Sequence, residues 1–300
     1  MNQDIYTRIT ELVISQLEKG VAPWRSPYLA SAGLPRNFSS GKCYQGINIF
    51  LLGLARFPSP YFLTFLQAKE LGGHVKKGEH GQLVVKYGTY TKDKEDAPAG
   101  EETAEKRRFL KGYTVFNASQ IEGVEFPEIK HPERTTTEII DGAESIIRGM
   151  PTPPTISDGT SAVPCYRKHS DTVAMPSRAA FSSDQEFYLT TFHELVHSTG
   201  HMSRLNRRTL VENEGIGAMG EARKTYSEEE LVAEMGAAFL AAHAGIADDG
   251  HENSASYLQG WLSVLKVTSN RSWLVRAASE AQKAVNYILG TAPTTEESPA

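Results

Sequence analysis

A histidine, a glutamate and a second histidine stand in the order H-E-x-x-H within the stretch TTFHELVHSTGH, residues 190–201. On a helix, residues four apart share a face, so His193 and His197 would direct both imidazoles into one space. Glu194, which follows the first histidine, would then reach a water held there and act as a general base. The pattern predicts a zinc site with its catalytic carboxylate. Because three fixed residues in five recur by chance, a third ligand has to support it.

The third ligand is predicted to be a glutamate. A third histidine at H-E-x-x-H-x-x-G-x-x-H is excluded, because Ser203 occupies the last position. The segment SEEELVAEMGAAFLAAHAG, residues 227–245, offers Glu230 and Glu234 one helical turn apart among apolar residues. We expect Glu230 to be the ligand and Glu234 to support a histidine, with the swapped assignment as the alternative. Glu229 is expected to be solvated.

Both segments carry the start signals of helices. Ser183 with Glu186 predicts a capping box, which places the H-E-x-x-H motif in the later turns of a helix. Ser227 with Glu230 predicts a second one, and such a box would turn the Glu230 carboxylate back towards the helix start. The sequence leaves this alternative role of Glu230 open.

The composition is that of a globular protein, with 300 residues, 40% hydrophobic and 22% charged. No apolar run approaches the ~20 residues of a membrane helix. The N-terminus, MNQDIYTRIT, opens an amphipathic stretch and not a signal sequence. Cys43 and Cys165 show no ligand-like spacing, so we expect neither a disulfide framework nor a cysteine metal site. A cytoplasmic protein that contacts no membrane is predicted.

The N-terminal part is basic and rich in aromatic residues. Residues 1–90 carry ten Lys and Arg against five Asp and Glu, although the whole chain has a net charge of -5. Sixteen of the 27 Phe, Trp and Tyr precede residue 131. Cations for phosphates and flat rings for unpaired bases are what a single-stranded DNA binder needs. The candidates for base stacking are Trp24, Tyr44 and Tyr113, and those for phosphate contacts are Arg25, Lys42, Lys76, Lys77 and Lys86.

The order of elements predicts two domains and an α+β fold. A helical stripe ends at Gly20, helices are expected near 45–55 and 60–71, and two strands flank the charged insertion KDKEDAPAGEETAEK. FPEIKHPERTTT indicates an interdomain linker. The second unit should hold a helix near 137–149, short strands around the turn KHSD and the two helices described above. The predicted divisions are a DNA-binding domain at 1–128, a linker at 129–136, a metallopeptidase domain at 137–290 and a disordered tail at 291–300.

The chain resembles the ArdC antirestriction proteins of conjugative plasmids over almost every residue from 4 to 290. Their N-terminal part is similar to that of TraC-type primases, and their C-terminal part is a zincin-like metallopeptidase domain. The resemblance rests on several separate blocks in order. These are APWRSPY, GKCYQGIN, TFLQAKELGGHVKKGEHG and YTVFNASQIEG in the first part, and FHELVHSTGHMSRLNR, EELVAEMGAAFL, YLQGWLSVLK and RAASEAQKAVNYIL in the second.

The resemblance implies binding of single-stranded DNA and protection of incoming plasmid DNA from restriction enzymes. It also implies metal ligands at His193, at His197 and on the EELVAE segment, with Glu194 as the catalytic residue. Zinc is the expected metal and manganese another candidate. Two alternatives stay open: a peptidase recruited to DNA-bound proteins, such as restriction enzymes, and a DNA-binding module with a vestigial metal site. Donors to a reaction oxyanion would come from Tyr226, His251 or Tyr257.

Overall fold

The structure is a computed structural model and describes residues 4–25, 33–93, 104–127, 135–211, 227–246 and 255–291. Three segments that the sequence predicts to be irregular fall mostly between or beyond these ranges. Residues 94–103 of the charged insertion, 128–134 of the linker and 292–300 of the tail lie outside the described residues.

The first segment combines short helices with a four-stranded sheet. Its elements are α1 (Ile5–Glu18), a 3-10 turn (Pro23–Arg25), β1 (Arg36–Asn37), α2 (Ile47–Gly53), β2 (Tyr61–Thr64), α3 (Phe65–Glu70), β3 (His74–Val75), β4 (Gln82–Asp93), β5 (Ala104–Asn117) and β6 (Ile121–Glu122). The sheet order is β1-β2-β5-β4, in which β1 runs parallel to β2 and the other neighbours are antiparallel. The strands β3 and β6 form a separate antiparallel pair.

The helix predicted for residues 60–71 is wrong in its first half. Residues Tyr61–Thr64 form β2, which pairs with β5 through Phe62 opposite Asn117. The helix begins only after Thr64, whose side chain accepts a hydrogen bond from the Gln67 backbone N–H in a capping box. The aromatic residues in YFLT favour a strand once a partner strand is present, and this pairing overrides the helical periodicity.

The second segment is mainly helical. It contains α4 (Thr136–Gly149), β7 (Thr155–Ser157), β8 (Cys165–Arg167), β9 (Thr172–Ala174), α5 (Asp184–Thr199), α6 (Arg208–Val211), α7 (Glu228–Ala244), α8 (Ala255–Leu265) and α9 (Trp273–Ile288). Its sheet has the order β7-β9-β8, and β8 and β9 flank the predicted turn at KHSD. Helices and antiparallel pairs in both segments give the predicted α+β fold.

The largest cluster of buried apolar side chains draws on both segments. Phe50 of α2 stacks on Phe239 of α7, with their ring centroids 4.9 Å apart. Trp24 meets Trp261 of α8 edge-to-face, with a centroid distance of 5.5 Å. The helix α1 also contacts α8 and α9. Packing therefore crosses the predicted division at 129–136.

The two helices that carry the candidate metal ligands approach closely. Gly236 of α7 lies against Val196 of α5, and a Cβ added at Gly236 would stand 2.7 Å from the Val196 side chain. The absence of a side chain at Gly236 thus lets the two helices pack at short range. This contact holds the middle of α7 against the last turn of α5.

A buried arginine fixes the chain just after α5. Arg204 Nε donates to the Ser198 carbonyl over 2.7 Å, and the guanidinium pairs with Asp171, which also accepts from the Tyr166 hydroxyl at 2.8 Å. The hydrogen bonds from Arg204 hold the pKa of Asp171 below its usual range, against the opposing effect of burial. The hairpin β8–β9 is thereby tied to the end of the motif helix.

Within the ranges given above, no helix combines the length and apolar character that a bilayer span requires.

Asp171→Asn should reduce the acid dependence of stability. Because the folded-state pKa of Asp171 is lowered, its carboxylate contributes stability above the unfolded pKa, and this contribution is lost as the pH falls. We expect a loss of about 1.5–3 kcal/mol near neutral pH, since the buried Arg204 loses a charged partner, and a difference from wild type that shrinks towards pH 3. Urea denaturation across pH checks this, with the exposed Asp141→Asn as the control. A constant difference at every pH would contradict the assignment.

Candidate metal and nucleic-acid sites

His193, His197 and Glu230 converge on one point. The two Nε2 atoms are 3.1 Å apart. Glu230 places one carboxylate oxygen 3.5 Å from His193 Nε2 and the other 3.4 Å from His197 Nε2. Of the residues that the structure describes, these three form the group of ligand atoms that could hold a metal ion, all within 4.8 Å of one another. The residues and spacing predicted from the sequence are thus brought together.

The motif lies in the last two turns of α5, as predicted. Ser183 accepts a hydrogen bond from the Glu186 backbone N–H at 3.1 Å, so the predicted N-cap is present. The return bond of the box shifts by one residue, because the Glu186 carboxylate accepts from Ser182 N–H over 2.8 Å. With the helix start fixed in this way, His193 and His197 share the face that meets α7.

The start of α7 presents Glu230 to the histidines. Ser227 caps this helix by accepting from the Glu230 backbone N–H at 3.2 Å. The Glu230 carboxylate nevertheless points to the imidazoles, so the alternative in which it folds back to the helix start is wrong. Carboxylates in the first turn of a helix are also stabilised by the helix dipole.

Glu229 contacts the Nδ1 side of His197, so the prediction that Glu229 is solvated is wrong. Its side chain is fully buried, and its Oε1 lies 3.2 Å from His197 Nδ1. Arg207 binds the same carboxylate through Nε at 2.8 Å and Nη2 at 2.6 Å, and Thr209 donates to it as well. The buried charge is tolerated because it is fully paired.

A sequence signal for Glu229 did exist. Glu229 shares its helix face with Val232, Ala233 and Gly236, at i+3, i+4 and i+7, and all three are buried. The missing information was its partner, because Arg207 lies in a different part of the chain. The same arginine donates to the Val196 carbonyl at 2.9 Å, so it also ties the end of α5 to α7.

The electrostatics of the cluster favour a cation. Burial alone would lower the pKa of His197, but the charges and hydrogen bonds of Glu230 and Glu229 raise it to about 10. Burial would likewise raise the pKa of both carboxyls, yet Arg207 lowers that of Glu229 to about 2, and the histidines hold that of Glu230 well below its usual range. The two carboxylates thus favour a positive charge at this point, and a divalent cation bound there would compete with a proton for His197.

The donor set fits a divalent cation. Two imidazole nitrogens and one carboxylate match the ligands of catalytic zinc sites. The remaining nitrogen of His197 faces a carboxylate, an arrangement typical of metal-bound histidines. Glu194 lies between the two histidines in sequence and is 2% exposed.

Glu234 does not support a histidine, which corrects the second role predicted on this helix. Its carboxylate binds Arg25, with Nη2 at 3.1 Å and Nε at 3.4 Å. Arg25 was predicted to contact phosphate, but its guanidinium is held here and over the Tyr257 ring, 3.8 Å from the ring centroid. Trp24 was predicted to stack on a base, yet it is 3% exposed and donates to the Tyr257 hydroxyl at 2.7 Å.

Tertiary packing explains why Trp24 and Arg25 are not free to contact DNA. The turn Pro23–Arg25 inserts between α7 and α8, so that the apolar ring and the cation that follows it find partners from the second segment. Of the three proposed oxyanion donors, Tyr257 lies in this cluster, whereas Tyr226 and His251 lie outside the described residues.

One face of the β4–β5 pair gathers aromatic and basic side chains. Leu83, Val85 and Leu110 pack on the main core, so their neighbours in the alternation lie on the opposite face. That face carries Lys86 opposite Lys111, Tyr113 opposite Val84, and Phe109 opposite Gly88. Phe109 is 41% exposed. We call Lys86, Phe109, Lys111 and Tyr113 the outer sheet face.

The predicted residues Tyr44, Lys86 and Tyr113 belong to this region. Tyr44 and Tyr113 both pack against the small cluster formed by Leu52, Phe62, Val84 and Val115, at one end of the outer sheet face. Phe109 and Lys111 were not predicted. The alternation in RRFLKGYTVFN, which places Phe109, Lys111 and Tyr113 on one side, was the signal that could have found them.

The other predicted phosphate contacts lie elsewhere. Lys42 is exposed on the loop before α2. Lys76 and the exposed Lys77 follow β3, in the two-stranded sheet, and Lys76 Nζ donates to the Ser119 carbonyl at 2.8 Å.

Two family models match this chain. Residues 3–116 match the N-terminal domain of anti-restriction factor ArdC, and residues 143–280 match a zincin-like metallopeptidase. Two crystal structures of the antirestriction ArdC protein from plasmid R388 are similar, each with a TM-score of 0.72. The metal-free one is 35% identical and covers 95% of this chain and 97% of that chain. The Mn(II)-bound one is 34% identical and covers 98% and 100%.

Curated relatives are similar over nearly the whole chain. The uncharacterized protein y4eC of Sinorhizobium fredii (strain NBRC 101917 / NGR234) is 32% identical, over 95% of this chain and 91% of its own length. Two Escherichia coli proteins named DNA primase TraC are 31% and 29% identical, over 94% and 96% of this chain. The chain spans only 19% and 27% of those primases.

Glu229→Gln should weaken metal binding while Glu228→Gln should not. The first change removes the charge that orients His197 and leaves Arg207 unneutralised, and losses of such supporting groups cost about 10–100-fold in metal affinity. The second makes the same chemical change one residue away, at a carboxylate that pairs with Arg276. Competition with a chromophoric chelator measures the two dissociation constants. Equal affinities for the two variants would show that Glu229 has no part in the site.

Proposed function

The chain belongs to the family of ArdC antirestriction proteins, and we propose that it protects incoming conjugative DNA from restriction by binding single strands, with a metal-dependent peptidase site in the same chain. Its second domain is zincin-like. Protection has to act where incoming DNA meets restriction enzymes, so we assign the protein to the cytoplasm.

The peptidase proposal is carried by the meeting of His193, His197 and Glu230 beside the buried Glu194. These three residues would hold the cation and leave a fourth tetrahedral position for water or substrate. A cation bound there supplies Lewis acidity, which polarises a peptide carbonyl and makes a water nucleophilic near neutral pH. Zinc suits this donor set, and manganese is the second candidate, because a similar ArdC structure contains Mn(II).

The chain's own residues account for the proton transfers. The Glu194 carboxylate would accept the proton of the attacking water and return it to the leaving amine. Glu229, held by Arg207, keeps the His197 ring oriented by its contact with Nδ1. A purely structural zinc has four protein ligands, so three donors with an adjacent glutamate favour a peptidase over a vestigial site.

The proposed DNA site is the outer sheet face. Lys86 and Lys111 supply positive charge, while Phe109 and Tyr113 supply rings on the same side of two neighbouring strands. Phe109 and Tyr113 are four residues apart on β5, about 13 Å along the strand, so bases stacked on the two rings would have the Lys111 cation between them. Proteins on the incoming DNA, restriction enzymes among them, would then be the peptidase substrates. The relatives named primases support a DNA partner, but their primase activity is not transferred to this chain.

Glu194→Gln should keep the metal and lose cleavage. The amide cannot take a proton from water, and general acid–base catalysis contributes about 10²–10⁴-fold to the rate. The test measures cleavage of a peptide library and of DNA-binding proteins by wild type, by Glu194→Gln and by the distant control Glu280→Gln. Elemental analysis gives the metal content of each protein. A metal-loaded wild type that cleaves nothing would favour the vestigial site. If Glu194→Gln still protects transferred DNA in mating assays, antirestriction requires the DNA-binding part of the chain and not peptide cleavage.

Phe109→Ala should weaken single-stranded DNA binding, whereas Phe65→Ala should not. Loss of one stacked base costs about 1–3 kcal/mol. Phe65 is 56% exposed on α3 and makes a matched control for removal of a surface ring. Lys86→Gln with Lys111→Gln should reduce the salt slope by about 0.7 per lost phosphate contact on a single strand. Fluorescence anisotropy of the full chain with labelled oligonucleotides at several salt concentrations measures both effects. Equal affinity for single and double strands would contradict the proposed site.

A further inference from the structure

Arg25 forms an ion pair with Glu234, which lies one helical turn along α7 from the candidate ligand Glu230. The contact is two-pronged, with Nη2 at 3.1 Å from Oε1 and Nε at 3.4 Å from Oε2. Both side chains are mostly covered, with 26% of Arg25 and 17% of Glu234 exposed. Arg25 comes from the first segment and Glu234 from α7, so the pair crosses the packing between the two segments.

Glu234 lies one helical turn after Glu230 on the same face of α7. Residues at this spacing have Cβ atoms about 5–6 Å apart. A glutamate side chain is long and flexible, so rotation about its own bonds could bring the Glu234 carboxylate towards the point where His193, His197 and Glu230 meet. The electrostatics of that point attract any anionic ligand once a cation is bound.

A second carboxylate there would change the kind of site. Three protein ligands leave a position for water or substrate, whereas four protein ligands close a zinc site and make it structural. An unrestrained Glu234 would therefore compete with substrate for the open position. The helix α7 carries both carboxylates, so something other than helix geometry has to separate them.

The guanidinium of Arg25 is well placed to do this. It lies over the Tyr257 ring, 3.8 Å from the centroid, and the Tyr257 hydroxyl accepts from Trp24 Nε1 at 2.7 Å. Trp24 is itself buried in the core. Trp24 therefore holds the Tyr257 ring on which the Arg25 guanidinium lies. The planar guanidinium matches the two oxygens of the Glu234 carboxylate.

We propose that Arg25 is a positioning residue that holds the Glu234 carboxylate away from the metal position and so keeps one coordination position open. This inference rests on the proposed metal site. The turn Pro23–Arg25 of the first segment would then determine the coordination of the metal site in the second segment.

The test uses the full chain loaded with Co(II), whose visible absorption reports coordination, and azide as a small ligand for the open position. In the wild type, azide should change the Co(II) spectrum. In Arg25→Gln, Glu234 should enter the site, tighten Co(II) binding by about tenfold or more, and abolish the response to azide. Glu234→Gln added to Arg25→Gln should restore both the wild-type affinity and the azide response.

Controls separate this role from a merely structural one. Arg276→Gln breaks the exposed pair with Glu228 at the start of the same helix and should change neither readout. Loss of a structural tie alone would lower the melting temperature without tightening Co(II) binding. Arg25→Met provides a second variant if Arg25→Gln does not fold.

The outcomes also separate the two levels of the argument. Uptake of Co(II) by the wild type, with Arg25→Gln and Arg25→Met showing unchanged affinity and an unchanged azide response, would overturn the role of Arg25 and leave the metal site standing. A wild type that takes up no Co(II) would contradict the proposed metal site itself.

Discussion

The buried contact between the Glu229 carboxylate and His197 is the interaction on which the site depends. A charge with no exposed surface is tolerated only when every oxygen has a partner, and Arg207 and Thr209 provide those partners together with the imidazole. Because Arg207 also binds the Val196 carbonyl, the charge network joins the end of one ligand helix to the start of the other. Removal of Glu229 or of Arg207 alone would leave the other charge uncompensated in the core. The arrangement of the ligands is therefore inseparable from the packing of α5 on α7.

The second feature of the molecule is that its two segments share their packing. The α2 ring of Phe50 stacks on Phe239 of the ligand helix α7, and Trp24 meets Trp261 on the other side. The strands β4 and β5 turn one face to this core and the other, with its lysines and rings, away from it. A DNA strand on that outer face and a peptide at the metal position would consequently be held by one packed body. The proposed function would thereby have a physical basis for directing peptide cleavage to proteins that sit on bound DNA.

The sequence was most informative where a local rule decides the structure. The spacing of His193 and His197 and the serine caps follow from helix geometry, whereas Glu230 is predicted because Ser203 occupies the position of a third histidine, and the structure places the three ligands together. Prediction was wrong where the partner comes from a distant part of the chain. The sequence does not reveal that Glu229 is buried, because its partner Arg207 lies 22 residues away, nor that Trp24 is buried, because the hydroxyl of Tyr257 lies 233 residues away. The strand at 61–64 was missed for the same reason, since its pairing with Asn117 is non-local.

The central claim is that a divalent cation binds to two imidazoles and one carboxylate with a position left open. X-ray absorption spectroscopy of the zinc-loaded protein at the zinc edge tests it most directly, because the fine structure counts the ligands by type. The account predicts four nitrogen or oxygen neighbours at about 2.0–2.1 Å, with multiple-scattering features from two imidazoles and no sulfur. A sulfur neighbour at about 2.3 Å, which would implicate Cys43 or Cys165, or the scattering of a single imidazole, would contradict it.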